Sequence, residues 1–321
     1  MRLLKLIPDH TNIGFVRLRK WAFALTALLT LAASVLVGVR GLNLGVDFVG
    51  GVLIEARFQQ PPSLDVVRHD VDRLHFGDAA VTTFGAANVI SIRLPLPQST
   101  DEGATNRMVK SVQAALEAKN PGMTFNRAET VSGKVSGELI RNGLLAVFLA
   151  VLGIAVFSWL RYEWQFGVST FVAIMHDVLV TMGFFALTRL EFDLNIVAAV
   201  LTIIGYSIND KIVIDDRIRE NMRKYRQMDM RALIDLSVNE TLPRTVMTSL
   251  TILLALASLL IFGGPVLRGF TAAMMLGVVV GTYSSIYVSS SLLISLGLAP
   301  HPTIEPKKGK SGPSASAERV G

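Results

Sequence analysis

Hydrophobic residues in this chain are gathered into six long runs separated by polar stretches. Each run has about twenty residues with almost no charge, the length that crosses a lipid bilayer as a helix. The first run is too long for the apolar part of a cleaved signal peptide, which has about 7 to 15 residues. The pattern therefore predicts six membrane-spanning helices, at 21–39, 139–159, 166–187, 194–214, 245–262 and 270–296.

The stretch 40–138, between the first two runs, has the pattern of a small globular domain. Alternating apolar residues predict strands, and apolar residues at a spacing of 3.6 predict amphipathic helices. The predicted strands are 51–58, 79–84, 88–94 and 123–131, and the predicted helices are 63–75 and 104–119. Their order is that of a ferredoxin-like split unit. The predicted fold is a polytopic α-helical membrane protein with six transmembrane helices and a ferredoxin-like α+β domain between helices 1 and 2.

Composition supports a membrane protein. Of the 321 residues, 51% are hydrophobic and only 17% are charged, whereas soluble domains have about 25% charged residues. The mean hydropathy is +0.48. These values exclude a soluble enzyme and a disordered protein, and the absence of cysteine excludes a disulfide scaffold and a thiolate metal site.

The distribution of charge predicts the orientation in the membrane. The arm 1–20, the loop 216–244 and the tail 299–321 hold five, seven and four of the 31 basic residues, whereas 41–138 has nine basic and eleven acidic residues. Cytoplasmic segments are enriched in Lys and Arg. We therefore expect both termini in the cytoplasm, the domain 40–138 on the outer side, and helices 2 to 6 within 139–298. The tail is rich in Lys, Pro, Ser and Gly, a composition typical of disorder.

Ionisable residues inside the predicted spans are the first candidates for function, because each costs roughly 2.5 to 3.5 kcal/mol at a helix centre. Asp177 lies in the third span, and Asp210 and Lys211 are adjacent in the fourth. A buried carboxylate can titrate in a physiologically useful range, so Asp210 is predicted to have a functional role. Lys211 lies near the cytoplasmic end, and we expect its ammonium to extend to the lipid headgroups.

Polar residues near Asp210 are candidate supporting groups. Tyr206, Ser207 and Asn209 precede it in the fourth span, although such residues also serve as hydrogen-bonding contacts between membrane helices. Arg244 and Thr248 share a face at the start of the fifth span, where Pro243 suits a first helical turn. Arg244 is predicted to lie at the depth of Asp210; the alternative is a cytoplasmic anchor without a partner.

Asp177 follows His176, a pair that suggests a proton relay. Adjacent residues on a helix point in different directions, so we expect Asp177 to act alone. In the last span Gly277 and Gly281 form a GxxxG pattern, which predicts close helix packing. The glycines around Asp47 predict tight turns after the first span, with a structural role for Asp47 favoured over a conducting one.

Five motifs in this sequence resemble those of the SecF subunits of the SecD/SecF family, which is related to the resistance-nodulation-division transporters. The motifs are GVDFVGG at 45–51, GYSIND at 205–210, DRIREN at 216–221, HDV at 176–178 and SSIYV at 284–288. With the six spans and one outer domain, the resemblance covers about 21–298. The motif at 205–210 is specific, whereas the glycine-rich motif alone is not.

The resemblance implies a non-enzymatic subunit that promotes protein export across the bacterial inner membrane. Its implied partners are a SecD-like subunit, the SecYEG channel, the unfolded exported polypeptide and the lipid bilayer, with a YidC-type insertase as a further candidate and no nucleic acid. The implied energy source is the proton gradient, without a cofactor or metal. The family's proton-passage residues match Asp210 and Arg244. Lys211 and Asp215 depart from the family pattern, which usually has a small polar and an apolar residue there.

Two other functions fit the same pattern. One is a scaffold subunit that holds the export machinery together and conducts nothing. The other is half of a proton-driven lipid or drug exporter, for which an outer domain of about 100 residues is small. Loss of proton-dependent export on changing Asp210 to Asn separates the first alternative from the main prediction, and copurification with SecD-like and SecY proteins separates the second.

Overall fold

A computed structural model describes residues 8, 11–97, 103–264 and 266–299 of the chain. The predicted disordered tail, apart from Ala299, and the first residues of the predicted N-terminal arm lie outside the described residues. In chain order the elements are α1 (Arg19–Arg40), β1 (Asn43–Leu44), α2 (Val46–Val49), β2 (Gly51–Arg57), α3 (Leu64–Asp72), β3 (Ala80–Phe84), β4 (Ala86–Leu94), α4 (Ala104–Lys119), β5 (Thr124–Val131), α5 (Gly133–Arg161), α6 (Trp164–Thr188), β6 (Glu191–Phe192), α7 (Leu194–Lys224), α8 (Met230–Phe262), α9 (Arg268–Tyr283) and α10 (Ser290–Ser295).

The six predicted spans are confirmed as helices long and apolar enough to cross a membrane. They are α1, α5, α6, α7, α8 and a last helix in which α9 continues through a π-helical turn, Ser284–Ser289, into α10. The last helix is the most enclosed, whereas α1 and α5 lie at the periphery. Helix α7 packs against α5, α6, α8 and the last helix, and α6 packs against α1, α5, α7 and the last helix, so these two helices lie inside the bundle.

The segment 216–244, which was predicted to be a loop, is mostly helical. Helix α7 continues to Lys224 and α8 begins at Met230, so only five residues connect them. Pro243 lies inside α8 rather than in its first turn. The helices continue because apolar residues from both pack together beyond the predicted ends. These residues are Ile214, Ile218, Met222, Leu233, Ile234, Val238 and Leu242.

The segment between α1 and α5 forms a four-stranded antiparallel sheet with strand order β3-β4-β2-β5. Helices α3 and α4 pack on one face of the sheet. Alternate residues of β2, Val52, Ile54 and Ala56, join the helices in a single buried cluster. The intervening Glu55 therefore points to the opposite face, which lies over the membrane helices. The strands and helices of this α+β unit follow the order predicted from the sequence.

Short elements join the α+β unit to the membrane helices. β1 pairs in parallel with β6, the segment between α6 and α7. Arg93 of β4 donates to the Asn43 side chain at 3.0 Å and to the Leu44 carbonyl. We call this end of the bundle the domain end, and the end with the α7–α8 connection the hairpin end.

Asp47 connects three segments at the domain end. Its carboxylate accepts a hydrogen bond from the Leu194 amide at the start of α7, at 2.9 Å, and its carbonyl accepts one from the Ser136 hydroxyl, at 2.7 Å. Asp47 lies in the short helix α2, which the sequence did not predict. Gly51, two residues after α2, has a φ of +125°, and a Cβ atom there would lie 2.5 Å from the Leu94 carbonyl oxygen. The contacts support the structural interpretation of Asp47, and the turn requires glycine.

The glycine pattern in the last helix gives the predicted close contact. A Cβ atom at Gly277 would overlap the side chain of Ile203 on α7, and one at Gly281 would lie 3.1 Å from the Ser207 Cβ. The two glycines therefore let α9 approach α7 closely, which brings the polar residues of both helices together.

Candidate functional site

Helix α7 has polar residues on two different faces. Ser207, Lys211 and Asp215 are four residues apart and share one face, which we call the inner face because it lies against α6 and the last helix. Tyr206 and Asp210 share another face, which lies against α8. We call this the α8 face. Tyr206 and Ser207, both predicted from the sequence to support Asp210, therefore lie on different faces.

Asp177 of α6 is the centre of the polar contacts on the inner face. It is completely buried. One carboxylate oxygen accepts hydrogen bonds from the hydroxyls of Ser207, at 2.7 Å, and Ser284, at 2.9 Å. Asp177 thus links α6 to α7 and to the last helix.

The side chains of His176 and Asp177 do not diverge as the sequence suggested, although the prediction that Asp177 acts alone stays a prediction. The Nδ1 atom of His176 lies 3.1 Å from the other carboxylate oxygen of Asp177. The backbone directions of adjacent residues diverge, but the imidazole reaches back to its neighbour. The Nε2 atom of His176 is buried and has no hydrogen-bond partner among the described residues.

The π-helical turn of the last helix supplies several of these hydroxyls. A π turn contains an extra residue, and such turns are frequent at functional sites. Ser284 bonds Asp177, and the Ser285 hydroxyl donates to the Ser207 carbonyl at 3.3 Å. Ser289 contacts the Lys211 ammonium. One turn of helix therefore contacts both Asp177 and Lys211.

Lys211 does not extend to the headgroups as predicted. Its side chain is 2% exposed, and its ammonium lies 3.0 Å from a carboxylate oxygen of Asp215, whose side chain is also 2% exposed. The ammonium also donates to the hydroxyls of Ser169, at 3.0 Å, and Ser289. Because Asp215 supplies the opposite charge one turn away, the ammonium stays inside the bundle. The two departures from the family pattern are therefore one ion pair.

Asp210 has very different surroundings. The residue is 3% exposed, yet one of its carboxylate oxygens has no hydrogen-bond partner among the described residues. The charged group that acts on it is Arg244 of α8, which places the two residues near each other as predicted. They do not form an ion pair within 4.0 Å, and Arg244 is exposed. This carboxylate is therefore buried but incompletely paired.

The structure brings some of the predicted supporting residues into contact and leaves others apart. The Tyr206 and Ser249 hydroxyls are 2.8 Å apart, and Ser249 is 2.8 Å from the Thr282 hydroxyl, so this chain of contacts joins α7, α8 and α9. Thr248 donates to backbone carbonyls of its own helix, and Asn209 is exposed. Ser207 contacts Asp177 rather than Asp210.

Four residues of these contacts were missed from the sequence, Ser169, Ser249, Thr282 and Ser289, and Asp215 was noted only as a departure from the family pattern. A signal existed for one of them, since 284–291 contains five serines. It was not used because hydroxyl side chains in membrane helices usually indicate helix contacts.

A polar cavity of about 580 Å³ lies at the domain end, between the sheet and the membrane helices. Its charged lining residues are Asp47, Glu55, Arg127, Glu129, Arg189, Glu191, Asp193 and Arg268. Burial raises the pKa of Glu55, Glu191 and Asp193. A buried apolar cluster that includes Phe48, Phe185, Phe192, Ile196 and Ile203 occupies the domain-end half of the bundle. This apolar cluster lies between the cavity and the buried polar groups of α6 and α7.

Comparisons with known proteins point to one family. The profile described as "Protein export membrane protein SecD/SecF, C-terminal" matches residues 111–299, and the "SecD/SecF GG Motif" profile matches 35–62. The protein translocase subunit SecF of Cereibacter sphaeroides is 44% identical over 300 residues, which cover 92% of this chain and 93% of the relative. That of Rickettsia felis is 38% identical over 291 residues, which cover 90% and 94%.

Solved structures give the same result. A crystal structure of SecDF from Thermus thermophilus, described as a translocon-associated membrane protein, matches with a TM-score of 0.82 and 36% identity, and covers 91% of this chain. A second SecDF crystal structure, in a super-membrane-facing form, matches with a TM-score of 0.66, 34% identity and 92% coverage. In both cases this chain spans 39% of the length of the SecDF chain.

Proposed function

This chain belongs to the SecD/SecF family of protein export membrane proteins, and we propose that it is an accessory subunit of the Sec translocation machinery. With a SecD-like partner, it uses inward proton flow to promote the export of unfolded polypeptide. Its role is transport rather than enzymatic catalysis, and it needs no cofactor besides the proton gradient. The SecYEG channel and a YidC-type insertase are its further proposed partners.

The proposed location is the bacterial inner membrane, with both termini and the hairpin end in the cytoplasm. The basic residues concentrated at 1–20, 216–244 and 299–321 support this orientation. The α+β unit is then periplasmic. Its antiparallel strand order, β3-β4-β2-β5 with one helix after β2 and one after β4, supports its assignment as ferredoxin-like.

A SecD-like partner is proposed because the charged groups of the α8 face are incompletely paired. Arg244 is exposed beside a buried carboxylate, one oxygen of which has no hydrogen-bond partner among the described residues. The apolar helices α1, α5 and α8 are largely exposed in this chain, so lipid or a partner chain covers them. Transporters of this kind are often built from two related halves with the ion site at their interface. The longer SecDF chains, of which this chain spans 39%, support a two-half arrangement.

Asp210 is the proposed proton carrier. The observation that carries the proposal is its burial with one carboxylate oxygen that has no hydrogen-bond partner among the described residues. An uncompensated negative charge inside a membrane protein is costly, so proton binding removes an unfavourable charge. Arg244 favours the ionised form and so opposes proton binding. A change in the distance between the two residues therefore changes the proton affinity of Asp210.

Proton transfer requires a change in helix packing. In the described structure, the apolar cluster lies between the domain-end cavity and the buried polar residues. We propose that protonation of Asp210 shifts the bundle between two packings, and that the periplasmic unit moves with it. Asp177 is the proposed second carboxylate, because it bonds hydroxyls from two other helices.

The test is export into inverted membrane vesicles that contain the chain and its SecD-like partner, with and without a proton gradient. We expect Asp210→Asn to abolish the gradient-dependent part of export while the partner still copurifies. The matched control is Glu220→Gln, which also neutralises a carboxylate on α7 but at an exposed i,i+3 ion pair. Undiminished gradient-dependent export by Asp210→Asn would show instead a scaffold that conducts nothing.

A further inference from the structure

The buried pair of Lys211 and Asp215 has no role in the function proposed above. Burying two charges costs several kcal/mol per ion, and well-packed apolar residues often replace such a pair without loss of stability. Ionisable residues inside membrane helices therefore indicate function. This pair also occupies positions where the resemblance implies uncharged residues.

The surroundings of the pair are those of a proton-transfer site rather than of a simple contact. The Lys211 ammonium has three described partners, the carboxylate of Asp215 and the hydroxyls of Ser169 and Ser289. These two hydroxyls are 3.4 Å apart. Hydroxyls both donate and accept hydrogen bonds, so they can pass a proton to or from a neighbouring amine.

The pair lies between Asp177 and the hairpin end. Ser207, which bonds Asp177, is four residues from Lys211 on the same face, about 6 Å along the axis. A lysine stem of four carbons is flexible enough to span this distance. Ser284 and Ser289 of the π-helical turn contact Asp177 and Lys211 respectively.

On the hairpin-end side of the pair, the chain reaches a solvated carboxylate. Asp216 is adjacent to Asp215, and its side chain is 51% exposed. Its carboxylate accepts a hydrogen bond from the Tyr162 hydroxyl at 2.8 Å. Burial and the bond to Asp216 raise the pKa of Tyr162, which keeps this hydroxyl a donor. The buried pair is therefore next to a solvated carboxylate at the hairpin end.

We propose that Lys211 and Asp215 form a second proton-transfer station, which passes protons from the Asp177 group to the hairpin end. The Lys211 ammonium gives a proton to the Asp215 carboxylate, leaving a neutral amine and a carboxylic acid with no change in net charge. Asp215 then releases that proton to water beside Asp216. A protonated Asp177 then gives its proton through the serine hydroxyls to the amine, which leaves the Asp177 carboxylate and restores the Lys211–Asp215 pair.

This inference rests on the proposed proton-driven function, and one substitution separates it from a structural role for the pair. Lys211→Arg keeps the positive charge and the ion pair, but a guanidinium does not release its proton in proteins. We expect Lys211→Arg to accumulate and to copurify with its partner. In the vesicle assay its gradient-dependent export should fall at least tenfold, with gradient-independent export unchanged. Gradient-dependent export at the wild-type level would overturn the proposal.

A second variant covers the case in which arginine does not fit the site. Lys211→Met with Asp215→Leu removes both charges and replaces them with apolar side chains of similar size. If the pair is a station, this double variant assembles and loses gradient-dependent export; if the pair is structural, it exports normally, which overturns the proposal. Glu220→Gln is again the control and should export as the wild type does.

Asp210→Asn, measured in parallel, separates this inference from the proposed function. If Asp210→Asn and Lys211→Arg both export normally with the gradient, the proton-driven function itself is wrong. If only Asp210→Asn loses gradient-dependent export, the proton-driven function is supported and the proposal of a second station is wrong. Loss in both, with Glu220→Gln normal, supports both proposals.

Discussion

The two polar faces of α7 differ in how completely their charges are paired. On the inner face, Asp177 and Lys211 each have two or more hydrogen-bond partners, drawn from α6, α7 and the last helix. On the α8 face, one oxygen of Asp210 has no hydrogen-bond partner among the described residues, and Arg244 is exposed. The charged groups of the inner face thus have partners within one chain, whereas those of the α8 face are incompletely paired.

This difference separates two physical roles for charges in a membrane protein. A fully paired buried group holds its neighbours in place, because removing one partner leaves another unsatisfied. An incompletely paired buried carboxylate gains from binding a proton or a partner residue. Removing one partner of a paired group on the inner face should therefore lower stability, whereas neutralising Asp210 on the α8 face should alter function and leave stability intact.

The largest effect on stability is expected at Asp177. Asp177→Leu leaves the Ser207 hydroxyl and the His176 ring without this partner, and it leaves the Ser284 hydroxyl with the Gly281 carbonyl alone. Each buried polar group left unsatisfied costs about 1–3 kcal/mol, so we expect a loss of about 2–6 kcal/mol, measured as a lower thermal midpoint of the purified complex. An unchanged midpoint would show that the inner face does not hold the helices together.

A slightly smaller loss is expected where α9 approaches α7. Gly277→Val inserts a branched side chain against Ile203, and overpacking of this kind costs about 1–3 kcal/mol. Gly281→Ala, beside Ser207, should cost less because the neighbouring atom is 3.1 Å away. Equal thermal midpoints for wild type and Gly277→Val would contradict the close contact between the two helices.

A pH-dependent effect is expected at Glu55, in the α+β unit. Burial raises its pKa above the ordinary value of 4.5, so the folded unit binds this proton more tightly than the unfolded chain does. The associated stability is present at low pH and is lost as the pH rises through the raised pKa. Glu55→Gln should therefore raise the thermal midpoint modestly at neutral pH and less at pH 4. Glu129→Gln, at a half-exposed ion pair on the same face, is the control. A midpoint difference between Glu55→Gln and wild type that does not change with pH would contradict this explanation.

The smallest effect is expected at Thr248. Its hydroxyl bonds only backbone carbonyls of α8 in the described structure, so Thr248→Ala should change stability by less than about 0.5 kcal/mol. Export by this variant should stay within twofold of wild type in the vesicle assay. A large loss of gradient-dependent export would show that Thr248 belongs to the α8 face after all.

The sequence predicted the elements well because each has a strong local pattern. The six apolar runs and the alternation in β2 and β4 reflect burial that depends on near neighbours. The continuation of α7 to Lys224 was missed because its charged residues concealed Ile218 and Met222, which pack against α8. Short elements such as α2 and β6 have too few residues to form a pattern.

The candidate site could be predicted only in part. Asp177, Asp210 and Arg244 were identified because a charge in or beside an apolar run is conspicuous. Their partners were not identified, since the pairing of Ser284 with Asp177 joins residues 107 positions apart and depends on a π turn. Lys211 was misinterpreted because its position near the helix end suggested the headgroups, whereas Asp215 holds it inside.

The most direct test of the central claim, that Asp210 carries the proton, is a measurement of proton flux. Vesicles containing the chain and its SecD-like partner are given a pH jump while export is in progress, and a dye reports the internal pH. We predict that Asp210→Asn abolishes the export-linked proton flux without changing the thermal midpoint of the complex. Glu220→Gln should keep the proton flux of the wild type. Wild-type flux in vesicles with Asp210→Asn would contradict the claim.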